Sequence, residues 1–135
     1  PISVHMDVDV KPDAPGITID VAKLQTVILN ILLNARDALP DGGTITVVAR
    51  ETQVLDAVTL TLSVIDDGVG IPDTIQGKVF EPYFSTKPTG RGSGLGLPMA
   101  RGFLEQSGGQ LDLFSTPGQG TQVDLHIPGT TWSAR

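Results

Sequence analysis

At 135 residues with 39% apolar side chains, the chain is long enough for one domain with one core. It has no cysteine, which excludes disulfides and thiolate metal sites and suits the cytoplasm. Its formal net charge of −6 comes without a Lys/Arg run able to track a nucleic-acid backbone or an apolar run able to span a membrane, so nucleic acid and direct membrane contact are not expected.

In chain order, Ile2, Val4, Met6 and Val8 alternate with polar residues, which predicts a half-buried strand over 2–9. A chain that opens directly on such a strand reads as a piece of a longer protein. "KPDAPG" then breaks regular structure. Asp20 is placed to cap a helix over 21–39, which "PDGG" at 40–43 stops. Residues 44–50 and 58–66 read as two strands of a hairpin. A loop-rich stretch over 67–92 holds one helical turn near Ile75–Val79. A second helix fits 95–107, ended by Gly108 and Gly109, and "QLDLFS" and "TQVDLHIP" are two further strands about the turn "TPGQG". The order β, α, β, β, loop, α, β, β predicts an α+β fold, a two-layer sandwich with the helices on one face of a mixed sheet. Residues 1–128 form the expected domain and 129–135 a tail without period.

The first helix is apolar nearly all round. One stripe is not: Lys23, Thr26, Asn30, Asn34 and Asp37 recur at spacings of three and four. Two asparagines one turn apart fit either a solvated stripe that bonds nearby loops or a wet site with a polar ligand. An unpartnered buried amide would cost about 1–3 kcal/mol, and an amide oxygen is a neutral ligand that Mg²⁺ accepts beside phosphate oxygens. "VIDDGVGIPD" at 64–73 ends an apolar run in Asp66 and Asp67. A carboxylate at the end of a central strand needs donors, and a purine amine would supply one. Gly68 and Gly70 permit close backbone approach and positive φ; the same residues also make an ordinary Asp-Gly turn. "GRGSGLGL" at 90–97 runs into the second helix, where free amides and the helix dipole favour an anion, although such a stretch is also an ordinary flexible loop. Pro98 would cost about 3 kcal/mol inside a helix but nothing in its first turn, so the helix begins close to Gly94–Leu97. Lys87 and Arg91 lie in the same loop and can neutralise phosphate, although by themselves they are ordinary surface cations.

Taken as an ordered set, these segments resemble the ATP-binding domain of the GHKL superfamily of gyrase B, heat-shock chaperones, histidine kinases and MutL. "NILLNARDAL" at 30–39 looks like its N box and "DDGVGI" at 66–71 like its G1 box. "VFEPYFSTK" at 79–87 looks like the F box of histidine kinases, "GRGSGLGL" like the G2 box, and "GQGTQVDLHIP" like the closing glycine motif and last strand. The resemblance implies a Bergerat-type fold and the cofactors ATP and Mg²⁺. It implies that Asn34 coordinates Mg²⁺ with Asn30 beside it, that Asp37 lies near the nucleotide, and that Asp66 bonds the adenine amine. Gly68, Gly70 and Ile71 would shape the base pocket, and Thr121 would support its Asp66 end. Phe80, Thr86, Lys87 and Arg91 would line the nucleotide site, with Asn30 and Lys87 acting in transfer. Gly92, Gly94 and Gly96 would form the lid over the phosphates, with Ser93, Leu95 and Leu97 also in the nucleotide site. With its glycines, two prolines and little apolar content, the segment from about Pro82 to Gly92 is expected to order only with nucleotide.

Hydrolytic members of that superfamily carry a glutamate one turn before the metal-binding asparagine; here that position is Asn30, which is no base. With "FEPYFSTK" and "GFLEQSGGQL", the chain resembles the nitrogen-regulator and hybrid subclass of sensor histidine kinases, from which Pro98 departs by replacing a small residue. This implies transfer of the γ-phosphoryl group to a histidine on a separate dimerisation and phosphoacceptor domain, with a response-regulator receiver downstream. His5 and His126 stand in strands and match no acceptor helix. The isolated domain is expected to be monomeric and cytoplasmic, with a parent that can be membrane-anchored. The competing expectations are an anti-sigma-type serine kinase and a nucleotide-sensing module that transfers nothing.

Overall fold

The computed structural model describes residues 1–9, 20–54, 57–81 and 96–129. Its elements run β1 (Ile2–Asp9), α1 (Val21–Asp37), β2 (Gly43–Val54), β3 (Ala57–Asp66), α2 (Asp73–Gln76), α3 (Gly96–Gln106), β4 (Gln110–Thr116) and β5 (Gly120–Pro128). The five strands form one sheet in the order β1-β2-β3-β5-β4. β1 runs parallel to β2 and every other pair is antiparallel, so the sheet is mixed, as expected.

Local chemistry sets the helix bounds. Asp20 Oδ1 accepts the Lys23 amide at 3.1 Å and caps α1. The helix ends at Asp37, two residues short of the expected bound, because Pro40 disfavours helical geometry at Leu39. α3 closes on a left-handed Gly108: its amide bonds Glu105 O at 3.1 Å, and the Gly109 amide bonds Leu104 O at 2.7 Å. That pair of bonds satisfies two carbonyls the helix end would otherwise orphan. Pro98 is the third helical residue of α3, inside the first turn, where it breaks no helical bond.

α1 and α3 pack on one face of the sheet. Ile31 and Ala35 from α1 and Leu39 just past its end meet Ala100 and Leu104 from α3 and Leu111, Val123, Leu125 and Ile127 from the sheet. Burying each such large aliphatic side chain is worth about 1.5–3 kcal/mol. The opposite face is polar: His126 alternates with Leu125 and Ile127, and its Nε2 lies 3.0 Å from Asp112 Oδ2.

β1 corrects one expectation. Val4 shares the helix-side face with its register partner Ile45, but Val4 is 58% exposed and Met6 72%. The strand is the edge of the sheet and pairs only along its β2 side. It is exposed throughout instead of half-buried.

Candidate functional site

The two aspartates at the end of β3 have different tasks. Asp67 is exposed, and its Oδ1 accepts the Thr44 amide at 2.8 Å, tying the strand end to the start of β2. Asp66 points inward and is 6% exposed, the one buried charged side chain among the described residues. Its Oδ1 accepts the Gly68 amide at 2.9 Å, and the Thr121 backbone also bonds it. Burial pushes its carboxyl above the ordinary aspartate range; the Gly68 and Thr121 bonds pull the other way, and the Asp67 charge adds to the upward push. Two backbone donors leave lone pairs over, so the ionised group can accept from a further donor.

The glycines after Asp66 answer to crowding by the protein itself. A Cβ at Gly68 would strike the carbonyl oxygen of Ala38, just past the end of α1. One at Gly70, where φ is +72°, would strike the carbonyl of Thr116. Both glycines thus let the loop pass close to Ala38 and to the β4–β5 turn. The Val69 amide bonds Ala38 O at 3.0 Å, and the Gly118 amide bonds Val69 O at 2.8 Å. These contacts seat the loop one helical turn from Asn34, whose carbonyl accepts the Ala38 amide at 3.1 Å.

Along α1, Asn30, Asn34 and Asp37 are half-buried, whereas Lys23 and Thr26 on the same stripe are exposed. Asp37 takes an ion pair from Arg36 at 3.2 Å. Gly96, the first residue of α3, lies against Asn30; a Cβ there would sit 3.8 Å from Asn30 Cβ. The mouth of α3 therefore opens beside the asparagine stripe, and Leu97 and Phe80 are half-buried. Phe80 packs on the core, with the Arg101 guanidinium 4.3 Å from its ring centroid. Thr86, Lys87, Arg91, Gly92, Ser93, Gly94 and Leu95 lie outside the described residues, as does the expected lid from Pro82 to Gly92.

The structure thus brings two groups of the candidate residues to α1. Asp66, Gly68, Gly70 and Thr121 stand at its C-terminal end, and Asn30 meets Gly96 farther back. Among the described residues no group of three His, Asp or Glu side chains could hold a metal. The donor set at the stripe is a pair of neutral amide oxygens, which suits Mg²⁺ when phosphate and water supply its other ligands.

Three contributors escape a reading of the sequence. Gly120, at φ +129°, has no room for a Cβ because of the Asp66 carbonyl. Ser115 Oγ accepts the Ile71 amide at 2.8 Å and lies 2.8 Å from Thr121 Oγ1. Gln76 Nε2 donates to Ile71 O at 2.8 Å and Ser115 O at 3.0 Å. Of these only Gly120 left a signal, its place in the "GQGT" turn.

Comparison with known proteins covers the whole of this arrangement. The family model described as histidine kinase-, DNA gyrase B-, and HSP90-like ATPase matches residues 19–131. The sensor kinase CckA of Brucella abortus is 35% identical over 136 residues, covering 93% of this chain and 14% of its own. The sensor histidine kinase ZraS of Klebsiella oxytoca is 35% identical over 126 residues, covering 93% of this chain and 26% of its own. The chain therefore spans about a seventh to a quarter of the length of these relatives. Among solved structures, the nucleotide-free catalytic domain of histidine kinase ThkA superposes with a TM-score of 0.78 at 26% identity, over 96% of this chain and 80% of its own. Full-length ShkA in complex with AMPPNP gives 0.78 at 25% identity, over 98% of this chain and 27% of its own.

Proposed function

Because this chain belongs to the histidine kinase-, DNA gyrase B-, and HSP90-like ATPase family and is the ATP-binding catalytic domain of a sensor histidine kinase, we propose that it grips Mg–ATP along α1 and donates the γ-phosphoryl group to a histidine outside the chain. Asp66 accepts the exocyclic amine of adenine, with Thr121 behind it and Gly68, Gly70 and Ile71 shaping the wall. Asn34, with Asn30 one turn away, offers amide oxygen to the metal. Gly96 and Leu97 lead the phosphates to the mouth of α3, and Lys87 and Arg91, which lie outside the described residues, supply positive charge for them. The bound Mg²⁺ supplies neutralisation of phosphate charge.

The observation that carries this reading is the buried Asp66 carboxylate at the end of the central strand, with lone pairs left after its two backbone bonds. Such a group is costly unless a donor completes it, and it selects an amine over a carbonyl.

Asn30 has no basic lone pair, so it positions and does not activate water. The domain's share of the reaction is orientation and charge neutralisation, which is most of what phosphoryl transfer asks. The acceptor lies elsewhere: His5 and His126 both project from the sheet face opposite α1 and α3, and His126 is engaged by Asp112 and by Thr61 at 3.1 Å. The partners on this reading are a histidine-bearing dimerisation and phosphoacceptor domain of the same kinase and, through it, a receiver domain. The setting is the cytoplasm; no helix among the described residues is long and apolar enough to cross a membrane.

The test incubates γ-labelled ATP and Mg²⁺ with the chain, with a separate acceptor-histidine helical domain, and with both. The mixture alone should carry label, inefficiently because the tether is missing, and the product should be acid-labile and alkali-stable. Rapid hydrolysis by the lone chain, or alkali-labile label on a partner serine, would overturn the assignment. Tight binding with no transfer to any histidine domain would mark a sensing module instead.

A further inference from the structure

We infer that Ser115 is a positioning residue for base selection: it fixes the Thr121 hydroxyl so that the Asp66 end of the site presents only hydrogen-bond acceptors. The inference rests on the reading of that end as the adenine subsite. The β-ladder pairs Asp66 with Thr121 and Thr121 with Ser115, so the three side chains stand in a row on the helix side of the sheet.

Ser115 Oγ has three partners: the Ile71 amide at 2.8 Å, the Gly120 carbonyl at 3.1 Å and Thr121 Oγ1 at 2.8 Å. An amide N–H only donates and a carbonyl only accepts, while a hydroxyl has one proton and two lone pairs. One assignment satisfies all three contacts. Ile71 donates to Ser115, Ser115 donates its proton to Gly120, and Thr121 donates its own proton to Ser115. Thr121 is then left with lone pairs alone, beside a carboxylate that only accepts when ionised.

A purine with an amine at this edge finds acceptors for it. One with a carbonyl oxygen there meets lone pairs on both sides. Gln76 steadies the arrangement by donating to the backbone carbonyls of Ile71 and Ser115, the two segments that Ser115 Oγ joins. In Ser115→Ala the Thr121 proton is released and can turn to a carbonyl oxygen, so discrimination relaxes.

The experiment is calorimetric titration of ATP and of inosine triphosphate, which carries a carbonyl in place of the amine. Wild type should prefer ATP. Ser115→Ala should lose about three- to tenfold of that preference, the worth of one neutral hydrogen bond. Ser115→Thr, which restores a hydroxyl, should keep the wild-type ratio. Ser115→Ala combined with Thr121→Val should show the ratio of Thr121→Val alone, because Ser115 acts through Thr121. If Ser115→Ala loses its fold by circular dichroism, Ser115→Cys keeps the volume, weakens the acceptor and should shift the ratio the same way. A folded Ser115→Ala or Ser115→Cys protein with the wild-type ratio overturns the inference while leaving Asp66 as the adenine partner. A wild-type protein that binds both nucleotides equally overturns the adenine reading and this inference with it.

Discussion

Replacing Asp66 with asparagine should separate binding from stability. The carboxylate is 6% exposed and already accepts the Gly68 and Thr121 amides, so the amine of adenine would be a further donor to a charged acceptor. Hydrogen bonds to charged groups are worth about 1.5–3 kcal/mol, so Asp66→Asn should weaken ATP about ten- to 150-fold. Stability should move the other way or not at all. The raised carboxyl means the folded chain holds this proton more tightly than the unfolded chain does. That contribution is full below the unfolded value of about 3.9 and is lost as pH rises through the raised folded value. At neutral pH the ionised group therefore opposes folding, and asparagine carries no charge to bury. Calorimetry should show the lost affinity, and thermal unfolding at neutral pH should show a Tm equal to or above wild type. Acidification should weaken ATP binding by wild type beginning above the ordinary aspartate range, and the variant should lack that titration. A folded Asp66→Asn protein with wild-type ATP affinity would refute the reasoning, and so would a Tm lowered by many degrees.

Asn34→Ala should remove most of the Mg²⁺ dependence of ATP binding; titrations with and without the metal that differ as in wild type would contradict its role. Gly120→Ala should cost on the order of 3 kcal/mol or more in denaturant unfolding, because φ is +129° and the new Cβ meets the Asp66 carbonyl. Gly96→Ala should fold with wild-type Tm or better, since the added Cβ makes ordinary contact with Asn30 at 3.8 Å and alanine favours helix. Its ATP affinity should fall, as the methyl intrudes where the mouth of α3 faces the stripe.

Elements with local causes were legible in the sequence. Asp20, Pro40, Pro98 and the Gly108–Gly109 pair act on neighbours within a few residues, and they set the ends of α1 and α3 as their types predict. The alternation in β1 showed which side chains share a face. It could not show that they stay exposed, because coverage depends on where α1 crosses the sheet. At Gly68 and Gly70 the need for glycine was legible but its cause was not. The crowding atoms belong to Ala38 and Thr116, which the fold brings in from distant positions. Ser115 was invisible for the same reason: a serine in a strand is unremarkable until Ile71 arrives from 44 residues away. The insertion of β5 between β3 and β4 is likewise a tertiary choice that joins Thr121 to Asp66.

The central claim is that one nucleotide spans the site from Asp66 to the Asn30–Gly96 contact. Nuclear magnetic resonance of the isotopically labelled chain, titrated with Mg–ATP, tests it most directly. The account predicts that the backbone amides of Gly68 and Thr121 and signals from the Asn34 side chain and Gly96 shift together on one saturating curve. Phe114 and Gln122, on the opposite sheet face, should stay still. Shifts on that opposite face, or shifts at Asn34 and Gly96 that saturate without any at Gly68 and Thr121, would contradict it.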